Sequence, residues 1–138
     1  MLDFMGVNWI AVVVAAVAII VVGFIYYLPQ VFGTRWAALS GRELPSFGQV
    51  PPLTYVAGLV TALVTAYVLA LFVGATGAAT AVDGAIVGLV AWVGFVAAAS
   101  YNGVLFEGQR MAHWAVNNGN FLIGAVVAGA IIGYLGPM

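Results

Sequence analysis

The chain of 138 residues contains no cysteine, no lysine and a single histidine. Without cysteine, disulfides, iron–sulfur clusters, thiolate zinc sites and cysteine nucleophiles are all excluded. One imidazole cannot supply the two or three that a catalytic metal centre usually takes. Charge is scarcer still: three Arg and four acidic residues make up 5% of the chain, with a net charge of −1. A soluble domain is about 25% charged, which here would mean roughly 34 charged side chains. So few charges cannot clothe a soluble fold of this size, whose burial is limited by surface-to-volume scaling. Three arginines give no basic footprint for nucleic acid or for anionic headgroups. Disorder is excluded too, because it needs the opposite composition.

What the chain has in quantity is apolar surface, 65% of all residues. Its solvent is therefore lipid. A span needs about 20 mostly apolar residues to cross roughly 30 Å of hydrocarbon. The first runs from Trp9 to Tyr27, with aromatic anchors at both ends; it lacks a basic leader and is longer than the core of a signal peptide. Between Leu53 and Phe106 the only charge is Asp83, so that stretch reads as two spans joined by a turn through Gly74, Gly77, Thr80 and Asp83. The second span covers Leu53 to Val73, with Pro51-Pro52 at its first turn, where a missing N–H does no harm. The third covers Gly84 to Phe106, with Asp83 as N-cap, since a mid-membrane Asp would cost about 2.5–3.5 kcal/mol. The fourth runs from Trp114 to Leu135 and stops at Gly136-Pro137.

This predicts an all-α bundle of four transmembrane helices forming one domain over residues 1–138. Arg35, Arg42 and Arg110 fall in the first and third loops. The positive-inside rule then places those loops in the cytoplasm and both termini outside, in a multi-pass protein of the plasma membrane. In the first loop, Thr34 to Leu39 predicts a short interfacial helix capped by Thr34 and ended by Gly41, and Pro45-Ser46-Phe47-Gly48 reads as irregular.

Helices in lipid associate through close backbone approach, so small residues at every fourth position are informative. Span two carries Gly58, Ala62, Ala66, Ala70 and Gly74; span three opens with Gly84 and Gly88; span four carries Ala125, Gly129 and Gly133. These stripes predict packing within the bundle. They also predict, for at least one stripe, a subunit interface in a homo-oligomer, most simply a dimer, or in a larger membrane complex.

Polar side chains in a membrane are functional candidates by default. They crowd toward the end of the first and third loops: Ser100, Tyr101 and Asn102 on span three, Gln109 in the turn, and Asn117, Asn118 and Asn120 on span four. Asn102, Asn117 and Asn120 predict an inward cluster fringed by Glu107, Arg110 and His113. The bland alternative is that the asparagines lock spans three and four together. No ionisable group lies deep in a span, and none of the spans is broken mid-membrane by proline. Both facts argue against a through-pore or a pump.

Two stretches also echo each other, Val22-Gly23-Phe24 with Phe32-Gly33 and Val93-Gly94-Phe95 with Phe106-Glu107-Gly108, as a parallel duplication would. Asn8-Trp9, Gly23, Tyr27, Pro29, Phe32-Gly33 and Trp36, followed by Trp92, Gly94-Phe95, Phe106-Glu107-Gly108 and Asn117, resemble a family of small membrane proteins catalogued as domain of unknown function 1761. Members of that family carry Gly-Lys-Ala-Trp where this chain has Gly33-Thr34-Arg35-Trp36, so the basic residue is displaced by one. The resemblance implies four spans and brings no activity, ligand or catalytic residue.

The residues then favour a membrane component without catalytic activity, an oligomeric or accessory subunit surrounded by lipid. A binder or carrier of a small solute or lipid, using a cytoplasmic-side polar pocket, is the alternative. An enzyme using Glu107 and His113 as an acid–base pair is more remote, since no second carboxylate, metal set or nucleophile motif accompanies them. No cofactor and no nucleic-acid partner is called for.

Overall fold

A computed structural model describes residues 2–44 and 49–138. Among these, every regular element is helical: α1 (Trp9–Tyr26), α2 (Thr34–Ser40), α3 (Pro52–Thr76), α4 (Ala81–Ala91), α5 (Ala98–Ser100), α6 (Asn102–Phe106) and α7 (Met111–Leu135). A π-helical turn at Pro29–Gly33 leads into α2, and a second π segment, Trp92–Ala97, joins α4 to α5. Four helices are long and apolar enough to cross a bilayer: Trp9–Tyr26, Pro52–Thr76, Ala81–Phe106 and Met111–Leu135. The 25-residue α3 and α7 rise about 37 Å at 1.5 Å per residue, more than the hydrocarbon thickness. Each of the four spans is apolar all round rather than on one stripe, and large side chains such as Ile10, Leu53, Val90 and Phe106 stand exposed along them.

The helix ends follow local chemistry. Pro52 opens α3, where its missing N–H is harmless, and Gly77 closes it in the left-handed conformation (φ 75°). The turn is therefore shorter than the sequence suggests, and Gly74 lies within the helix. The cap of α4 is Thr80 rather than Asp83: its hydroxyl accepts the Asp83 N–H at 3.1 Å, and the acidic side chain sits in the first turn near the positive end of the helix dipole. Helix α2 ends at Gly41 as expected, but Thr34 does not cap it; the π turn already supplies the preceding backbone, and the Thr34 hydroxyl donates to the Pro29 carbonyl. The irregular reading of Pro45 to Gly48 lies outside the described residues.

Helix α7 is central. It packs most extensively on α4, then on α1, while α3 is held chiefly by α1. The apolar core occupies the half of the bundle nearest the termini: Ala11, Val12, Ala15 and Ala16 of α1, Ala62, Ala66 and Ala70 of α3, and Ala128 and Ile132 of α7. Most of these are alanines, so cohesion comes from backbone proximity, as lipid solvent requires. The contact of α4 with α7 is closer still. A Cβ on Gly84 would overlap the Gly129 carbonyl, one on Gly88 the Ala125 carbonyl, and one on Gly133 the Thr80 carbonyl. Only glycine permits that approach.

The stripe on span two divides. Ala62, Ala66 and Ala70 are buried, Gly74 is half-buried beside Pro137, and Gly58 is exposed with nothing within 4 Å of its missing Cβ. From Pro51 to Thr61 every residue is exposed, so the first half of α3 stands away from its neighbours. The two halves of the chain are joined differently, α2 intervening in one and a tight turn at Glu107–Arg110 in the other, so the sequence echo has no matching connection.

Candidate functional site

Two features occupy the half of the bundle near the first and third loops: a hydrogen-bonded hub on α7 and, beside it, a cleft. The hub centres on Asn118, the only buried polar side chain among the described residues. Its Oδ1 accepts from the Ser100 hydroxyl at 3.2 Å, its Nδ2 donates to the Trp114 carbonyl at 2.9 Å, and its own carbonyl accepts from the Trp92 indole at 3.0 Å. The Trp114 indole donates to Ser100 Oγ at 2.9 Å and closes the set. Four residues thus satisfy one another across the third and fourth spans, through two side-chain and two main-chain acceptors, as buried amides in lipid must.

The π segment makes this meeting geometrically available. Sixteen residues separate Gly84 from Ser100, which at 3.6 per turn would rotate Ser100 about 160° away from the face that packs on α7. One residue absorbed by the wider turn returns about 100° of that rotation. Gly84 and Ser100 can then both address the same helix.

From the first span, Tyr26 is buried and its hydroxyl donates to the Val116 carbonyl. Gly119 makes the space: a Cβ there would lie 2.6 Å from the Tyr26 hydroxyl. Tyr26 also stacks on Phe32 with centroids 4.5 Å apart, anchoring the π turn against α1. Tyr27 donates to Asn117 Oδ1 at 3.4 Å and meets Trp36 edge-on.

The six residues grouped from the sequence are therefore dispersed. Asn117 binds Tyr27; Asn102 is exposed and donates to the Ala99 carbonyl of its own helix; Glu107 and Arg110 are exposed at the turn; His113 is half-buried in the first turn of α7. Asn102 departs from the predicted cluster because it lies beyond the break at Tyr101, on the outer face of the third span. Asn118, Ser100, Trp92 and Trp114 take the place assigned to it. Their signal was available: Trp114 and Asn118 are one helical turn apart, and a tryptophan indole held in lipid needs an acceptor.

Asn120 sits apart from the hub. It borders a cleft of about 580 Å³ between α1, α3, α7 and Val96 of the π segment. A second cleft of about 520 Å³ lies under α2, lined by Tyr27, Trp36 and Tyr55 among others. Neither is lined by Glu107, Arg110 or His113, and no group of three His, Asp or Glu that could hold a metal exists among the described residues.

At the opposite end Asn8 caps α1, its Oδ1 accepting from the Ile10 and Ala11 N–H groups. Trp9 stacks on Tyr67 with centroids 5.4 Å apart, and the Tyr67 hydroxyl donates to the Phe4 carbonyl at 2.6 Å. These bonds give the Asn8-Trp9 pair a structural task.

The fold is thus that of a four-helix membrane-spanning bundle, tied by glycine contacts at one half and by a polar hub at the other. The family model described as "Protein of unknown function (DUF1761)" matches residues 10–133, and the chain belongs to that family. Comparison with curated proteins and with solved structures returns no match.

Proposed function

We propose that the chain is a membrane component without catalytic activity that assembles as a symmetric dimer through the outer face of its third span. The observation that carries this reading is the uneven covering of the four spans. Only 17% of the third span's most apolar stretch is buried, against 28–33% for the others. Along its open side run Val90, Gly94, Ala98 and Asn102, and nothing lies within 4 Å of where a Gly94 Cβ would stand. Small residues ending in an amide are what lipid-embedded interfaces use. The glycine stripes at Gly84, Gly88, Gly129 and Gly133 are already engaged within one chain, which leaves this face for a partner. The same spending of Asn117, Asn118, Ser100 and Trp114 on structural bonds favours a scaffold over an enzyme.

Light scattering of the detergent-solubilised protein, corrected for bound detergent, tests the proposal. The expected mass is that of two chains, falling to one in Gly94→Leu while helicity is kept. A one-chain mass for the unaltered protein at high concentration overturns it.

A further inference from the structure

We propose that the cleft between α1, α3 and α7 is a binding site for an uncharged, lipid-like molecule whose hydroxyl or carbonyl group bonds to Asn120. The inference is independent of the dimer reading, since the cleft and the open face of the third span are separate surfaces.

The first observation concerns glycine. At Gly84, Gly88, Gly129 and Gly133 the missing Cβ is explained by a backbone carbonyl in its place. At the cleft the glycines lack that explanation. Among the described residues nothing lies within 4 Å of a Cβ on Gly58, and the nearest neighbours are Ile19 at 4.0 Å for Gly124 and Asn120 Oδ1 at 3.7 Å for Gly23, ordinary contact distances. All three line the cleft. Among the described residues no backbone of a facing helix comes within 4 Å of these Cβ positions, so the volume they leave adds to the cleft.

The second is the amide. Asn120 is nine residues into α7, about 14 Å along the helix from Met111 at 1.5 Å per residue, well inside the hydrocarbon. Its Oδ1 faces Gly23 across the cleft, and among the described residues its side chain makes no hydrogen bond. An amide at this depth has no water to turn to, so its partner has to come from the cleft. The neighbouring Thr61 and Thr65 hydroxyls are occupied by carbonyls of their own helix, at 2.9 Å each.

The third is charge and size. No Asp, Glu, Lys, Arg or His lines the cleft. A charged headgroup so deep would have no counter-charge, so the occupant is neutral there. A volume of about 580 Å³ is typical of a small-molecule site. At roughly 30 Å³ per atom, the volume of a liquid water, it takes about twenty non-hydrogen atoms, which is one acyl chain with a small polar end.

Photolabelling in reconstituted vesicles tests this, with a diazirine-bearing monoacylglycerol as the neutral probe and a lysophosphatidylglycerol carrying the same diazirine chain as the anionic one. The neutral probe is expected to label segments 19–23, 58–65 and 120–125 in preference to the rest of the bundle, and excess unlabelled monoacylglycerol to compete. Asn120→Leu keeps the volume and removes the amide; it should lower that labelling about three- to tenfold, the worth of one intramembrane hydrogen bond. Gly58→Leu, which fills open space and leaves the close helix contacts alone, should abolish it. Labelling spread evenly over the perimeter, equal labelling by both probes, or indifference to Asn120→Leu and to the filling variant would each overturn the site. Crosslinks joining two chains through segments 58–65 would overturn it as well, by showing that a second copy fills the cleft.

Discussion

Asn8 holds Gly136 from the opposite end of the sequence: its Nδ2 donates to the Gly136 carbonyl at 3.0 Å while its Oδ1 caps the first turn of α1. The Asn8 N–H adds a bond to the Pro137 carbonyl at 2.8 Å. One side chain therefore satisfies the orphan donors of one helix and the orphan acceptors of another, where the two emerge on the same side of the bundle. Asn8→Ala should cost about 1–3 kcal/mol, the sum of a lost cap and a lost hydrogen bond. Asn8→Ser keeps an acceptor for the cap but cannot span to Gly136, and should recover about half of that. Unfolding in mixed detergent micelles, followed by circular dichroism, measures both.

Glycines in this chain fall into two physical kinds, and substitution should separate them. Gly84→Ala and Gly129→Ala drive a methyl group into a backbone carbonyl, which cannot move aside as a side-chain end can. Each should destabilise by about 1–3 kcal/mol or prevent folding. Gly58→Ala and, in the monomer, Gly94→Ala meet open space and should be neutral or stabilise by about 0.4–1 kcal/mol through the lowered entropy of the unfolded chain. The same micelle titration ranks all four, and equal effects across the two kinds would contradict the α4–α7 contact.

Among the asparagines, burial predicts which one the fold depends on. Asn118→Leu leaves the Ser100 hydroxyl only the Ala97 carbonyl of its own span and the Trp114 carbonyl without the amide, at about 1–3 kcal/mol. Asn102→Leu, on an exposed face, should stay within about 0.5 kcal/mol in the monomer. Tryptophan fluorescence reports the first variant directly, because both Trp92 and Trp114 donate to members of the hub.

Tyr26→Phe removes only the hydroxyl that reaches the Val116 carbonyl. The expected loss is about 0.6–1.7 kcal/mol, the measured range of such bonds between helices in a bilayer. Gly119→Ala should cost more than Tyr26→Phe, because its methyl collides with the tyrosine that the hydroxyl merely anchors.

The orientation expected from Arg35, Arg42 and Arg110 can be read without any background, since the chain has no cysteine of its own. A single cysteine at Ser40 should react with an impermeant maleimide only after the cytoplasmic side is opened, and one at Ala79 in intact cells. The reverse pattern would invert the topology.

The spans were legible because lipid imposes a pattern as coarse as its own thickness. Trp9, Leu135 and the stop at Gly136 stand where composition placed them, and Gly41 ends α2 as its freedom at positive φ requires. The ends that shifted did so through interactions of a few residues. Thr80 outranks Asp83 as a cap because its hydroxyl reaches the donor three residues on, which extends α4 backward by a turn. The alanines Ala11 and Ala15 of α1 were passed over because they sit among other small apolar residues, and only the folded partner shows which of them is inside. The polar centre was harder to place. Periodicity on a straight helix points Ser100 away from α7, and nothing in composition marks the six residues Trp92–Ala97 as more widely wound.

That wider winding makes the third span sensitive to the number of its residues more than to their kind. Inserting one residue between Trp92 and Ala97 would leave its hydropathy almost unchanged and still allow it to cross the bilayer. Yet it would turn Ser100 away from Asn118 while Gly84 kept its place on Gly129, uncoupling the two ends of a single helix. Relatives of this chain should therefore exchange side chains freely along this stretch and lose one residue from it more readily than gain one.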